Sequence, residues 1–318
     1  MGNARFAAPP SLARVNPPLS LTVRGRVVDL SEPLLMGIVN ATPDSFSDTG
    51  EHRTTEQRVA LALEQVARGA HVVDVGGQSG ITGVPEVPVD EEIGRVVPVV
   101  AGLRAAAPDV LISVDTYRPA VVEAVLDAGA AIVNDISGLL YPEVAGLVAA
   151  AGAGLVIMHT RSRPKHKVLD DALYAEAGGV TADVVAFLRE RLDAAVAAGV
   201  PPEATILDPG PDFAKTPAQT VEVLRELDRV REIGRPLLLA LSRKDFIGAV
   251  TGRPPRERLG GTLAAVGHVL GHPGTILRVH DVDVVADYLA VAAVLAGRSE
   301  LPPDARLAVA LRREPPSS

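Results

Sequence analysis

The sequence predicts one α/β domain folded as a closed (β/α)8 barrel of the TIM class, preceded by a β-hairpin. Three observations carry that expectation. Short apolar runs alternate with longer segments of helical period. The runs are apolar throughout, as parallel strands covered on both faces must be. A polar cluster follows the C-terminal end of each run, which is where such a barrel gathers its active site.

Taken in chain order, residues 1–18 read as a disordered tail broken by Pro9, Pro10, Pro17 and Pro18. Segment 21–30 reads as a hairpin that plugs the N-terminal face. Strands are expected at 34–39, 71–75, 110–114, 131–134, 154–158, 204–207, 236–241 and 275–279. A helix follows each, for instance at 54–68, 90–107, 216–234 and 256–270. No shift of composition divides the middle, so 19–311 is taken as a single domain, and 312–318 as a second disordered tail.

Composition excludes several functions. Among 318 residues the net charge is −8 and aromatics make up 3%, which argues against nucleic-acid partners, since these need a basic face or stacking platforms. The absence of cysteine removes disulfides, thiolate nucleophiles and Cys-ligated metals, and suits the cytoplasm. No run is long and apolar enough to span a bilayer, so a soluble protein without membrane partners is expected. The phosphate loop G-x-x-x-x-G-K-[ST] is missing, and so is a G-x-G-x-x-G at the first strand–helix turn. His159, His166 and His268 form no H-E-x-x-H motif, and Gly77-Gln-Ser-Gly80 lacks nucleophile-elbow spacing.

The strand-end clusters are Asn40-Ala-Thr-Pro-Asp44, Asp74-Val-Gly-Gly77, Asp115-Thr-Tyr117, Asn134-Asp135, Met158-His159, Asp208-Pro-Gly210, Ser242-Arg-Lys244 and Arg278-Val-His280-Asp281. Each alone is compatible with a helix cap or turn. Together on one rim they suggest a site. Asp115, Asn134, Asp208 and Lys244 offer acceptors, an amide and a cation, a set suited to a flat heterocycle such as a 2-amino-4-oxo pteridine. The competing reading is a ring of structural ion pairs. Asn40, Arg278 and His280 lie on the first and last strands and suit phosphate oxygens, with Asn40 able to help hold a divalent ion. Against this, Arg278 and His280 could pair with Asp281 or Asp283. The basic stretch from Arg161 to Lys167 reads most simply as a solvated loop.

These segments resemble dihydropteroate synthase over residues 34–297. The most specific are Met36-Gly-Ile-Val-Asn-Ala-Thr-Pro-Asp-Ser-Phe-Ser-Asp48, Ser113-Val-Asp-Thr-Tyr117, Asn134-Asp-Ile-Ser137, Asp208-Pro-Gly210, Ser242-Arg-Lys244 and Arg278-Val-His-Asp-Val282. The resemblance implies a homodimeric transferase of folate synthesis that joins 6-hydroxymethyl-7,8-dihydropterin pyrophosphate to p-aminobenzoate with Mg2+. It implies that Asp115, Asn134, Asp208 and Lys244 hold the pterin, with Met158 and Phe213 also binding substrate. Asn40, Arg278 and His280 hold the pyrophosphate and metal. Phe46 and Asp48 lie on a lid over the p-aminobenzoate site, and Asp115, Lys244 and Asp48 are the expected catalytic groups.

The sequence departs from the family in three places on the acceptor side. Gly80, Ile81 and Thr82 stand where the second lid usually reads Thr-Arg-Pro. Asp245 follows Lys244 in place of the usual Ser, and Gly210-Pro-Asp-Phe-Ala-Lys215 replaces Gly-Ile-Gly-Phe-Gly-Lys. Two readings therefore stand open at this level: the synthase reaction, or a divergent paralogue that binds a pterin but uses another acceptor or is inactive. Pterin-dependent methyltransferases have a related barrel, but Ser242-Arg-Lys244 and Arg278-Val-His280 favour the synthase.

Overall fold

The computed structural model describes residues 20–42, 54–78, 83, 85–308 and 311. The chain opens on an antiparallel hairpin, β1 (Ser20–Val23) and β2 (Arg26–Asp29). Eight parallel strands then close a barrel. They are β3 (Leu34–Asn40), β4 (Val72–Gly76), β5 (Leu111–Asp115), β6 (Ile132–Asp135), β7 (Gly154–Met158), β8 (Thr205–Asp208), β9 (Leu237–Leu239) and β10 (Thr275–Val279). Closure comes from β10, which pairs with β9 on one side and β3 on the other. The outer layer is α1 (Thr55–Ala67), α2 (Val89–Ala106), α3 (Pro119–Asp127), α4 (Glu143–Ala151), α5 (Val180–Ala197), α6 (Pro217–Arg225), α7 (Leu227–Arg231), α8 (Asp245–Thr251), α9 (Leu259–Val269) and α10 (Val282–Leu295).

The period-2 pleat of each strand explains how the barrel is filled. Residues of one parity face the helices: Leu35, Val133, Leu155, Ile157, Leu207, Leu239 and Leu277 are buried in one layer with residues of α3 to α10. A second cluster joins Val73, Val75, Ile112 and Val114 to α1 and α2. The other parity faces inward. At the N-terminal end it is apolar, with Met36, Val72, Ile132, Val156, Ile206, Leu238 and Ile276 packed together. Two or four residues later the same inward column becomes Asp74, Asp115, Asn134, Asp208 and Arg278. The barrel therefore has a dry floor and a polar mouth.

The expected hairpin plug is present. Leu21, Val23 and Leu30 are wholly buried in the same cluster as the apolar floor. Arg24 fastens the turn to the barrel by donating to the Ala130 and Leu126 carbonyls at 2.8 and 2.6 Å, and its N–H donates to the Gly152 carbonyl.

The strands at 154–158 and 275–279 match expectation to the residue, and the others move by one or two residues at their ends. The expected helix at 216–234 is instead two, α6 and α7, broken at Glu226 (φ −102°, ψ 22°). The break turns Leu227 and Val230 into the core, where both are buried. α9 begins only at Leu259, because Pro254 and Pro255 start a 3-10 turn first. Capping boxes, Thr54 with Gln57 and Thr216 with Gln219, fix the starts of α1 and α6. No described helix is long and apolar enough to cross a membrane. The expected terminal tails, 1–18 and 312–318, lie outside the described residues.

Because the plug lies at the far end from the mouth, Leu21→Ala is expected to cost about 2–4 kcal/mol of stability. A lower urea midpoint with unchanged ligand affinity at the mouth would bear this out.

Candidate functional site at the barrel mouth

Strand register brings the polar residues together. Asn40 pairs with Gly76, Gly76 with Asp115, Asp115 with Asn134, and Met158 with Asp208. One layer deeper, Asp74 pairs with Ser113 and accepts its hydroxyl at 2.6 Å. Asp74 has no solvent exposure. It also accepts from Asn134 Nδ2 (3.1 Å) and Arg278 Nε (2.7 Å), while Arg278 Nη2 donates to Asp115 at 3.2 Å.

This cluster explains the electrostatics. Burial pushes the Asp115 carboxyl up to about 7, with Arg278 opposing the rise and Asp74 adding to it. Burial also works against the charge of Arg278, but Asp74 and Asp115 outweigh it and hold its pKa above the ordinary value. The Asn134 amide gives its N–H to Asp74, leaving its buried Oδ1 as an acceptor with no protein donor. An unmet acceptor of that kind suits a ligand N–H.

On the opposite wall Asp208 accepts the Gly210 N–H at 2.7 Å, and burial raises its carboxyl to about 6. Lys244 donates to the Pro211 carbonyl at 2.9 Å, and its Nζ lies 4.6 Å from the centre of the Phe213 ring. Burial lowers the Lys244 pKa, with Asp212 and Asp208 resisting. Phe213 shares a cleft with Gln78, Asp115, Tyr117 and Lys165.

The loop carrying Phe213 is held from below by Lys215, which is 1% exposed. Its ammonium meets three acceptors: His159 Nδ1 at 2.7 Å, the Gly210 carbonyl at 3.0 Å and the Phe213 carbonyl at 3.1 Å. Burial and the Lys215 charge depress His159 to about 3, so the ring is neutral and its Nδ1 can accept. Its Nε2 then donates to Asp183 at 2.9 Å, and Arg161 grips the same carboxylate at 2.8 and 2.6 Å. Arg161 is thus a structural partner rather than part of a merely solvated loop. Gly210 (φ 65°) has no room for a side chain, since a Cβ would stand 2.1 Å from the His159 carbonyl oxygen.

The third group sits where β10 meets β3. His280 Nδ1 lies 3.0 Å from Ser242 Oγ, and burial, with Arg243 and Arg278 nearby, depresses the ring to about 3. His280 therefore offers an N–H rather than a charge. The pairings considered from sequence do not form: Asp281 binds Arg243 at 2.6 Å and Asp283 binds Arg68 at 2.9 Å. Arg278 turns inward because it stands on the inward parity of β10. The alternative of a structural ion-pair ring is met only by the Arg278 bridge to Asp74 and Asp115; Lys244 makes no ion pair of that kind among the described residues.

Asp115, Asn134, Met158, Asp208, Phe213, Lys244, Arg278, His280 and Asn40 thus share one mouth. Phe46 and Asp48, and the altered Gly80, Ile81 and Thr82, lie outside the described residues. Sequence reasoning gave no role to Asp74, Lys215 or Asp183. A lone Asp inside the run Val72-Val-Asp-Val75 was the available signal for the first. Lys215 closes the motif Gly210-Pro-Asp-Phe-Ala-Lys215, but its bond to His159 spans 56 residues; Asp183 has no local signal, and His159 lies 24 residues from it.

Comparison with known proteins places these residues in a family context. A model described as "Pterin binding enzyme" matches residues 36–280. The chain is 40% identical over 270 residues to a dihydropteroate synthase of Streptococcus pyogenes, covering 84% of this chain and 97% of the relative. A solved dihydropteroate synthase of Xanthomonas albilineans with 4-aminobenzoic acid superposes with a TM-score of 0.79 at 40% identity, covering 88% of this chain and 99% of that one. The Burkholderia cenocepacia dihydropteroate synthase complexed with 7,8-dihydropteroate superposes with a TM-score of 0.78 at 35% identity, covering 88% and 98%.

Two outcomes follow from the site. Asp115 and Asp208 bind protons more tightly folded than unfolded, so their contribution to stability falls as pH rises from about 3.8 to about 7 and about 6 respectively. Urea midpoints across that range should flatten in Asp115→Asn and Asp208→Asn. Lys215→Met leaves three acceptors unmatched and should cost about 2–5 kcal/mol, measured by the same unfolding.

Proposed function

Because the chain belongs to the dihydropteroate synthase family of pterin-binding enzymes, we infer that it condenses 6-hydroxymethyl-7,8-dihydropterin pyrophosphate with p-aminobenzoate. The observation that carries this reading is the joined deep set of Asp115, Asn134, Asp208 and Lys244 at one mouth, in a chain 40% identical to synthases over most of its length. That degree of likeness favours the synthase over an inactive paralogue or one with another acceptor.

The roles follow from donor and acceptor chemistry. Carboxylate oxygens of Asp115 and Asp208 and the unmet Oδ1 of Asn134 accept pterin N–H groups, while Lys244 donates to a ring nitrogen or the oxo group. Met158 and Phe213 supply the apolar surroundings. A guanidinium has five N–H donors, so Arg278 keeps some for a phosphate after engaging Asp74 and Asp115. His280 adds a neutral donor. In the reaction the C–O bond to pyrophosphate breaks, and the departing anion takes the bonding pair. The aniline nitrogen forms the C–N bond and sheds a proton to solvent. Positive charge developing on the pterin is stabilised by the carboxylates beneath it, and Arg278 stabilises the leaving group. The aniline is a weak base, so orientation contributes more than a strong general base would. Asp48 and Phe46 belong to this reading as lid residues beside the acceptor.

Magnesium enters as a companion of the substrate. Among the described residues no three His, Cys, Asp or Glu side chains gather to hold a metal. The single amide oxygen of Asn40 fits an ion that takes its other ligands from pyrophosphate and water. When bound, it would neutralise charge on the departing anion. A homodimer belongs to this reading, for which Val291 and Leu295, 60% and 83% exposed on α10, offer an apolar contact, and so does a cytoplasmic location.

Incubation with both substrates and Mg2+ should yield dihydropteroate by mass spectrometry. Arg278→Ala and Lys244→Ala should each lower kcat/KM on the order of a thousandfold, and EDTA should suppress pyrophosphate release. Folded protein that makes no product would overturn the assignment.

A further inference from the structure

The basic stretch after β7 reads from sequence as a solvated loop, but the fold sets it into the wall of the cleft that runs from Asp115 past Phe213. Arg163, Lys165 and His166 all line that cleft. The loop is braced at three points. The Thr160 hydroxyl accepts the Ser162 N–H at 3.2 Å, Arg161 grips Asp183, and the Lys165 carbonyl accepts the Gly83 N–H at 2.9 Å. Lys165 itself stands in the left-handed region (φ 66°). Its half-buried ammonium lies in the field of Asp115 and Glu86. Arg163 and His166 differ from it: both are exposed, and neither side chain has a protein acceptor among the described residues.

The rim beyond Phe213 carries two carboxylates by which the sequence departs from its family, and neither lines the cleft. Asp212 spends Oδ1 on the Thr220 hydroxyl at 3.2 Å and Oδ2 on the Asp245 N–H. Asp245 accepts from Arg258 at 3.0 Å, with Lys167 4.0 Å away. Among the described residues that line the cleft, Asp115 is the one acid, and every basic side chain comes from the loop after β7. An anion entering the cleft is drawn to that loop and turned away from Asp115. p-Aminobenzoate has a neutral nitrogen at one end, a carboxylate at the other and an aromatic ring between them. The cleft offers the matching series: the pterin side at Asp115, the ring of Phe213 and the basic loop.

We propose that Arg163, seconded by His166, binds the carboxylate of the acceptor and so orients the arylamine with its nitrogen toward the pterin. The proposal rests on the synthase reading and names the groups that recognise its second substrate. It puts the cation for that carboxylate on the loop after β7, in a chain whose sequence at 80–82 lacks the arginine usual in the family.

The test measures KM for p-aminobenzoate, and the inhibition constant of neutral p-aminobenzamide competing with it, in the full-length protein with the pterin pyrophosphate and Mg2+. Arg163→Gln should raise the benzoate KM on the order of tenfold, the loss of one hydrogen bond to a charged group, with kcat and the amide constant level. Arg163→Glu should raise it further, and Arg163→Lys should recover most of the wild-type value. His166→Asn should move KM the same way by a smaller factor. In the wild type, KCl should raise the benzoate KM by screening the attraction, and that slope should shrink in Arg163→Gln. Arg163 is exposed, so these variants should fold as the wild type does. A benzoate KM unmoved in folded Arg163→Gln and Arg163→Glu, or an amide constant that rises by the same factor, overturns the proposal and leaves the synthase standing. No product from the folded wild type overturns the synthase reading and the proposal with it.

Discussion

A guanidinium inside the barrel permits the rest of the mouth to exist. Asp74 is fully buried and Asp115 partly so, and two carboxylates that close in a low-dielectric interior repel strongly. Arg278 stands between them and binds both. With that bridge in place, Asn134 can spend its N–H on Asp74 and present an unmatched oxygen, and Asp115 can remain a soft acid that responds to a ligand. The bridge also links β10 to β4 and β5 across the interior, so the electrostatic centre of the site is a structural tie as well. A buried ion cluster adds little to stability compared with apolar packing. Its persistence here makes sense as the cost of a polar recognition surface.

The opposite wall is built on a different principle. Lys215 satisfies its three N–H bonds with one imidazole and two carbonyls, and thereby sets the curve of the loop from Gly210 to Phe213. The chain through His159 and Asp183 to Arg161 extends that template to the surface. Asp212 and Ala214 adopt left-handed conformations within the loop, a local expense of roughly 1–2 kcal/mol per residue that the hydrogen bonds around them offset. Recognition on one side thus depends on paired charges, and on the other on a backbone held in an uncommon shape.

Much of this was legible in the sequence. Unbroken apolar runs such as Gly154-Leu-Val-Ile-Met158 announce doubly covered strands, and Arg278-Val-His280 shows two polar groups on one parity, which must face inward together. The pairing of Arg278 was not legible, because Asp281 and Asp283 are nearer along the chain and only barrel closure brings Asp74 and Asp115 within reach. Local spacing favours nearby partners, while a closed sheet rewards inward parity. For the same reason the bonds that Lys215 and Asp183 make to His159 were not legible. Each lies outside the strands, and only the packing of α5 and the Gly210–Lys215 loop against β7 unites them at His159. The break between α6 and α7 was hidden by a continuous helical period across Glu226.

The hairpin that closes the floor has a spatial meaning. With Leu21, Val23 and Leu30 filling the far end, the barrel among the described residues is closed at the floor and open at the mouth. A ligand seated against Asp115 and Asn134 lies behind whatever occupies the Phe213 side. Depth along one passage, rather than separate entrances, is what distinguishes the two ends of this cleft.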